Sequence, residues 1–132
     1  MGRWSDARLG EAFGPLEFPL TREFHRRFVE GTRNELEAHD ELVDPTIAGN
    51  LAIYLLGSRY PGPIIHSHQE LELFGPVRIG ETVVATGTLS MKETRRGKSY
   101  VAIDCDFERD GGRVWWARMT CIWPEVHLRG EV

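Results

Sequence analysis

The chain has 132 residues, 41% hydrophobic and 27% charged, with a formal net charge of −4 at neutral pH. That length suits one domain, residues 1–132, with a sizeable core. The negative balance removes long-range attraction for nucleic acid or anionic lipid, and Arg26-Arg27 and Arg95-Arg96 are pairs rather than a basic tract, so neither nucleic acid nor membrane is an expected partner. The opening MGRWSDARLG has no apolar segment of the secretory kind, so a cytoplasmic location is expected. Cys105 and Cys121 both fall in predicted strands and read as buried, reduced thiols.

Residues 1–20 carry Gly10, Gly14, Pro15 and Pro19 and read as loop, with room for one short strand. Thr21 is a capping residue for a helix from Arg22 to about Glu30, with Phe24 and Phe28 on one face and Gly31 as a stop. Residues 32–43 are polar and acidic without a clean period. The stretch 44–57, DPTIAGNLAIYLLG, is the organising element. Asp44 is a good N-cap, Pro45 fits the first helical position, and Gly57 supplies a stop. Ile47, Leu51 and Leu55 repeat every four residues, and Ala48, Ala52 and Leu56 repeat one step over. A helix apolar on most of its circumference needs protein around it, and this one is too short to span a bilayer.

Tyr60-Pro61-Gly62-Pro63 breaks the chain, and four strands follow: about 64–74, 82–94, 99–109 and 113–123. Arg95-Arg96-Gly97-Lys98 and Asp110-Gly111-Gly112 are hairpin signals, so the last three strands form an antiparallel meander. Val101, Ile103, Cys105 and Phe107 share one face of the third, and Trp115, Ala117, Met119, Cys121 and Trp123 share one face of the fourth. Strands this long twist and curl. The reading is α+β: a hot-dog fold, in which a long curled antiparallel sheet is wrapped around a central buried helix. Val114 and Trp116, on the other face of the last strand, argue for a homodimer partner to cover them.

Three segments carry a resemblance: LTREFHRRFVEGT, then QELELFGPVRIGETVVATGTLSMKETRRGKSYVAIDCDFERDGG with its P-V-x-x-G-[DE]-T turn, then RVWWARMTCIWP. Over most of residues 18–124 they resemble the MaoC-like hot-dog family, relatives of the (R)-specific enoyl-thioester hydratases and dehydratases. The resemblance implies an acyl thioester of coenzyme A or acyl carrier protein as ligand, with no cofactor. The family's catalytic loop reads D-x-N-P-x-H, whose Asp and His activate a water for addition across a double bond conjugated to a thioester. Aligned on it, FVEGTRNELEAH puts Asn34 at the Asp position and His39 at the His position, while Leu36 and Glu37 stand where the family has Asn and Pro. His39 and Asn34 are thus the implied catalytic pair, although an amide cannot serve as a carboxylate base.

The developing enolate oxygen wants N–H donors, which a buried helix amino end supplies. Asp44, Thr46, Gly49 and Asn50 are therefore the expected substrate-binding residues. The departures in the loop keep a second reading open, a non-catalytic partner subunit of a hot-dog dehydratase. A third is a thioesterase using Glu41 or Asp44. Alternation along a strand would also set His66, His68, Glu70 and Glu72 on one face, where two histidines and a carboxylate can hold a first-row metal. No second histidine motif follows, so the cluster reads as a polar outer face and no metal is expected.

Overall fold

The structure is a computed structural model that describes residues 6–32 and 41–123. In chain order the elements are β1 (Ala12–Pro19), α1 (Arg22–Thr32), α2 (Ile47–Gly57), β2 (Ile65–Leu73), β3 (Thr82–Arg95), β4 (Lys98–Arg109) and β5 (Gly112–Trp123). The five strands form one antiparallel sheet in the order β1-β3-β4-β5-β2. The four expected strands are present, each within a residue of its predicted ends. The two hairpin turns are made by Arg96-Gly97 and Asp110-Gly111, all four residues with positive φ, as tight hairpins between twisted strands require.

β1 corrects the reading of residues 1–20 as mainly loop: it pairs with β3 from Ala12 to Pro19, with a register shift between Phe13 and Leu16. Proline is tolerated there because β1 is an edge, where a missing N–H costs no ladder bond on the solvent side.

α2 touches all five strands, which places it on the face that the sheet curls around. Ile47, Ala48, Leu51, Ala52 and Leu55 are fully buried. They meet the inward rows of β4 (Val101, Ile103, Cys105, Phe107) and β5 (Trp115, Ala117, Met119, Cys121) in one core. Gly87 on β3 lets Leu55 come close, since a Cβ there would lie 2.9 Å from its Cδ2. The helix is not covered all round. Thr46, Asn50 and Tyr54, spaced four apart, form an exposed stripe. Both thiols are buried and unpaired as disulfides, and burial pushes each up to about 12, which leaves them unreactive.

Two helix ends differ from expectation. Regular α-structure in α2 starts at Ile47 rather than after Asp44, because the first turn closes with tighter bonds: Ile47 N–H to Asp44 O at 3.1 Å, Ala48 N–H to Pro45 O at 3.0 Å and Gly49 N–H to Thr46 O at 3.3 Å. Gly57 ends the helix as expected, with Ser58 as its C-cap, and turn bonds continue to Tyr60, whose N–H donates to Leu56 O at 3.0 Å, before Pro61. In α1 the Thr21 hydroxyl does cap, accepting from Phe24 N–H at 3.1 Å, and the helix continues through Gly31 to Thr32. Among the described residues no helix is long and apolar enough to cross a membrane.

Candidate functional site

The amino end of α2 is where sequence reasoning places the chemistry, and the structure shows how that end is held. Residues 41–43 run antiparallel to 77–79: Ile79 N–H donates to Glu41 O at 3.0 Å, Val43 N–H donates to Val77 O at 2.8 Å, and Leu42 bridges Arg78. The turn Pro76 to Thr82 is thus the support on which the lead-in to α2 rests. Glu81 ties that turn together. Its Oε1 accepts from Arg78 N–H at 2.7 Å and from the Arg109 guanidinium at 3.3 Å, and Arg109 also donates to Pro76 O.

On the opposite side stands His25 of α1, only 5% exposed, the one buried polar or charged side chain among the described residues. Its Nε2 accepts from Asp44 N–H at 2.9 Å. An accepting Nε2 carries no proton, so the neutral ring holds its hydrogen on Nδ1. Burial depresses the His25 pKa; the Asp44 carboxylate opposes that shift and Arg22 adds to it. Asp44 Oδ1 in turn accepts from Thr46 N–H at 3.0 Å and from Thr46 Oγ1 at 2.8 Å; the N-cap position of α2 itself falls at Thr46 rather than at the expected Asp44, so Asp44 serves the turn that leads into the helix.

Beside this junction lies a cavity of about 310 Å³, with Val43, Pro45, Leu73, Pro76, Val77 and Trp115 among its walls. The lining is apolar, suited to a hydrocarbon tail. A second cavity, about 330 Å³, lies at the carboxyl end of α2 between Ile53, Tyr54, Ser58, Tyr60 and Ile64. Its neighbour is an ionic clamp. Glu11 accepts from Tyr60 Oη at 2.7 Å and from Arg59 at 2.6 Å, while Arg59 also donates to Ala12 O at 2.9 Å and lies 4.7 Å over the Phe13 ring. Burial raises the Glu11 pKa, but hydrogen bonds from Arg59, the Arg8 N–H and Tyr60 outweigh it and hold the carboxyl below its ordinary value. Burial and then the bond to Glu11 push Tyr60 up to about 12.

The expected site residues are placed as follows. Asn34 and His39 lie outside the described residues. Asp44 is half-buried with its carboxylate on Thr46; Thr46 and Asn50 are exposed; Gly49 is buried. Gly49 admits a close neighbour, and the neighbour is Gln69 of β2, whose Oε1 would stand 2.1 Å from a Cβ on Gly49. Arg59 is committed to Glu11, and Arg95 pairs with Glu93 and stacks on Tyr100.

The alignment of His66 with His68, Glu70 and Glu72 fails. A register shift between His66 and His68 sets His66 opposite Cys121 but His68 opposite Thr120, so the extra residue turns His66 off the row shared by His68, Glu70 and Glu72. Val114 also needs no partner chain to cover it: it is 2% exposed in this chain, with its carbonyl accepting from Phe74 and Gly75.

Sequence reasoning missed His25 and Gln69. His25 could have been found as the residue four before Val29 and three before Phe28, on the apolar side of α1.

The sequence matches no protein-family model and no curated protein. Its structure, in contrast, is similar to several solved ones. The HadBC complex, a 3R-hydroxyacyl-ACP dehydratase of Mycobacterium tuberculosis, superposes with a TM-score of 0.68 at 20% identity, over 86% of this chain and 96% of that one. The (R)-hydratase from A. caviae involved in PHA biosynthesis gives 0.68 at 18% identity, over 89% and 98%. The MaoC-like dehydratase from Rhodospirillum rubrum gives 0.63 at 14% identity, over 90% and 94%. The chain has the hot-dog fold of the MaoC-like dehydratases and hydratases.

Proposed function

We propose that this chain binds an acyl thioester of coenzyme A or acyl carrier protein at the amino end of α2, as a hydratase or dehydratase of enoyl and 3-hydroxyacyl thioesters. The observation that carries this reading is the apolar cavity of about 310 Å³ walled by Val43 and Pro45, directly before the first turn of the buried helix. A tail in that cavity sets a thioester carbonyl near the amino end of α2, where N–H groups and the helix dipole stabilise an enolate oxygen. Of the three first-turn bonds, that of Gly49 N–H is the longest at 3.3 Å, so it is the donor most readily shared with a substrate oxygen. In this reading His39 takes the proton of the attacking water, Asn34 positions that water or the thioester, and Asp44, Thr46 and Asn50 frame the approach.

The loop sequence favours a second reading. Asn34, Leu36 and Glu37 stand at three of the four signature positions, which suits a non-catalytic subunit that shapes a thioester site for another chain; HadBC is itself a complex. For a thioesterase the structure offers less. Asp44 Oδ1 is occupied by Thr46, and the Glu41 side chain is exposed.

Hydration of a short enoyl-CoA, followed by loss of the conjugated thioester absorbance, tests the enzymatic reading. A general base is worth roughly 10²–10⁴-fold, so His39→Ala is expected to lower kcat by at least about a hundredfold. A wild-type rate in His39→Ala rejects His39 as the base. No turnover by wild type, with thioester binding retained, moves the assignment to the partner subunit.

A further inference from the structure

Gln69 and Gly49 meet where α2 faces β2. Across the sheet Gln69 is opposite Met119, and the same row continues with Leu71 opposite Ala117 and Leu73 opposite Trp115. Met119, Ala117 and Trp115 belong to the core, so Gln69 also points at the helix. Leu73 and Trp115 are walls of the apolar cavity beside the amino end of α2. Of Gln69, Leu71 and Leu73, only Gln69 brings a polar group to that row.

The amide of Gln69 lies against Gly49. A Cβ there would stand 2.1 Å from Oε1, 2.5 Å from Cδ and 2.9 Å from Nε2, so a residue without a side chain is what admits it. A polar group turned toward a buried helix is costly unless it is hydrogen-bonded. Among the described residues the Gln69 amide has no such partner, and neither its nitrogen nor its oxygen is sealed from solvent. It is an amide held in place by packing, with its donors and acceptor left open.

We propose that Gln69 is a second hydrogen-bond donor to the thioester oxygen, acting together with the N–H of Gly49. A Cβ lies about 2.5 Å from the nitrogen of its own residue. With Nε2 2.9 Å from that Cβ position, the two donor nitrogens are no more than about 5.4 Å apart, and closer if the amide is turned end for end. Two hydrogen bonds of about 2.9 Å can converge on one oxygen from donors up to about 5.8 Å apart. When water adds to the β-carbon of an enoyl thioester, that oxygen takes up the negative charge, and fixed donors there lower the barrier. Gly49 thus has two tasks, to present its N–H and to leave room for the Gln69 amide.

This rests on the proposed function, and a readout on the bound ligand separates the two. A hydrogen bond to a carbonyl lowers its stretching frequency, so infrared difference spectra of a carbonyl-labelled enoyl-CoA report the donors whether or not turnover follows. Gln69→Met keeps the length and the contact with Gly49 but removes the N–H. Gly49→Ala keeps Gln69 but displaces its amide, the end of a flexible side chain. In each variant the bound carbonyl band is expected to move up toward that of the unbonded thioester. In an active protein Gln69→Met should also lower kcat about a hundredfold or more with little change in KM. A folded Gln69→Met that binds the thioester with the wild-type band overturns the proposal and leaves the proposed function standing, as does a wild-type band in Gly49→Ala. A wild-type chain that binds no acyl thioester overturns both.

Discussion

The two ends of α2 are held in opposite ways. At the carboxyl end, a carboxylate, a phenol and a guanidinium close on one another: Glu11, Tyr60 and Arg59 tie the helix to the start of β1. At the amino end backbone N–H groups supply the donors. Val43 N–H goes to Val77 O, Asp44 N–H goes to the His25 ring, and the Asp44 carboxylate serves the first turn. The comparison teaches a division of labour. One end spends its polar groups on anchoring β1, while the other leaves an apolar hollow beside donors pointing along a helix dipole. On the function proposed above, stability is concentrated toward the first and binding toward the second.

Substitutions sharpen this contrast in descending order of effect. Leu55, fully buried in the carboxyl half, is expected to cost about 2–5 kcal/mol when truncated to Ala. Chemical denaturation measures that loss, and thioester affinity of the folded fraction should be unchanged. His25→Ala removes the acceptor of a part-buried N–H and should cost about 1–3 kcal/mol. Unlike Leu55→Ala, it should also weaken thioester binding, because Val43 and Pro45 line the cavity on either side of Asp44.

His25 also carries a pH signature. Its folded-state pKa is depressed by burial, so the folded chain favours the neutral ring and the unfolded chain binds the proton more tightly. The contribution is complete above the unfolded histidine value of about 6.5. It is lost as the pH falls through that value toward the lower folded one. Melting temperatures across this range should therefore drop more steeply for wild type than for His25→Gln, which keeps an acceptor but does not titrate. The smallest effect is expected at Asp44→Ala, about 0.5–2 kcal/mol for the lost bonds to Thr46, read by thermal melting. Should Asp44→Ala cost more than Leu55→Ala, the division of labour is wrong.

Much of the fold was legible because its signals are local. Gly97 and Gly111 fix the hairpins, and alternation in β4 and β5 fixes the inward rows. What was not legible depended on pairing across the chain. Gly14, Pro15 and Pro19 argue for loop in isolation; only position at the sheet edge makes them a strand. The shift at His66 leaves no mark in the residues themselves, so a strict two-residue period put His66 on the wrong row. For the site, the hydrogen-bonding role of Asp44 before α2 and the closeness allowed by Gly49 were readable from residue type, whereas the N-cap position falls two residues later, at Thr46. Gln69 as the neighbour of Gly49, and His25 as the support of Asp44, needed the fold. The catalytic assignment at Asn34 and His39 rests on sequence, since both lie outside the described residues.

The central claim is that an acyl tail sits at the amino end of α2 and not at the carboxyl end. Each cavity has a glycine on its wall with open space where a Cβ would go, Gly75 at the first and Gly57 at the second. Calorimetric titration of a medium-chain acyl-CoA into wild type, Gly75→Trp and Gly57→Trp compares the two directly. The account predicts binding by wild type and Gly57→Trp and its loss in Gly75→Trp. Binding that survives Gly75→Trp and vanishes in Gly57→Trp would contradict it.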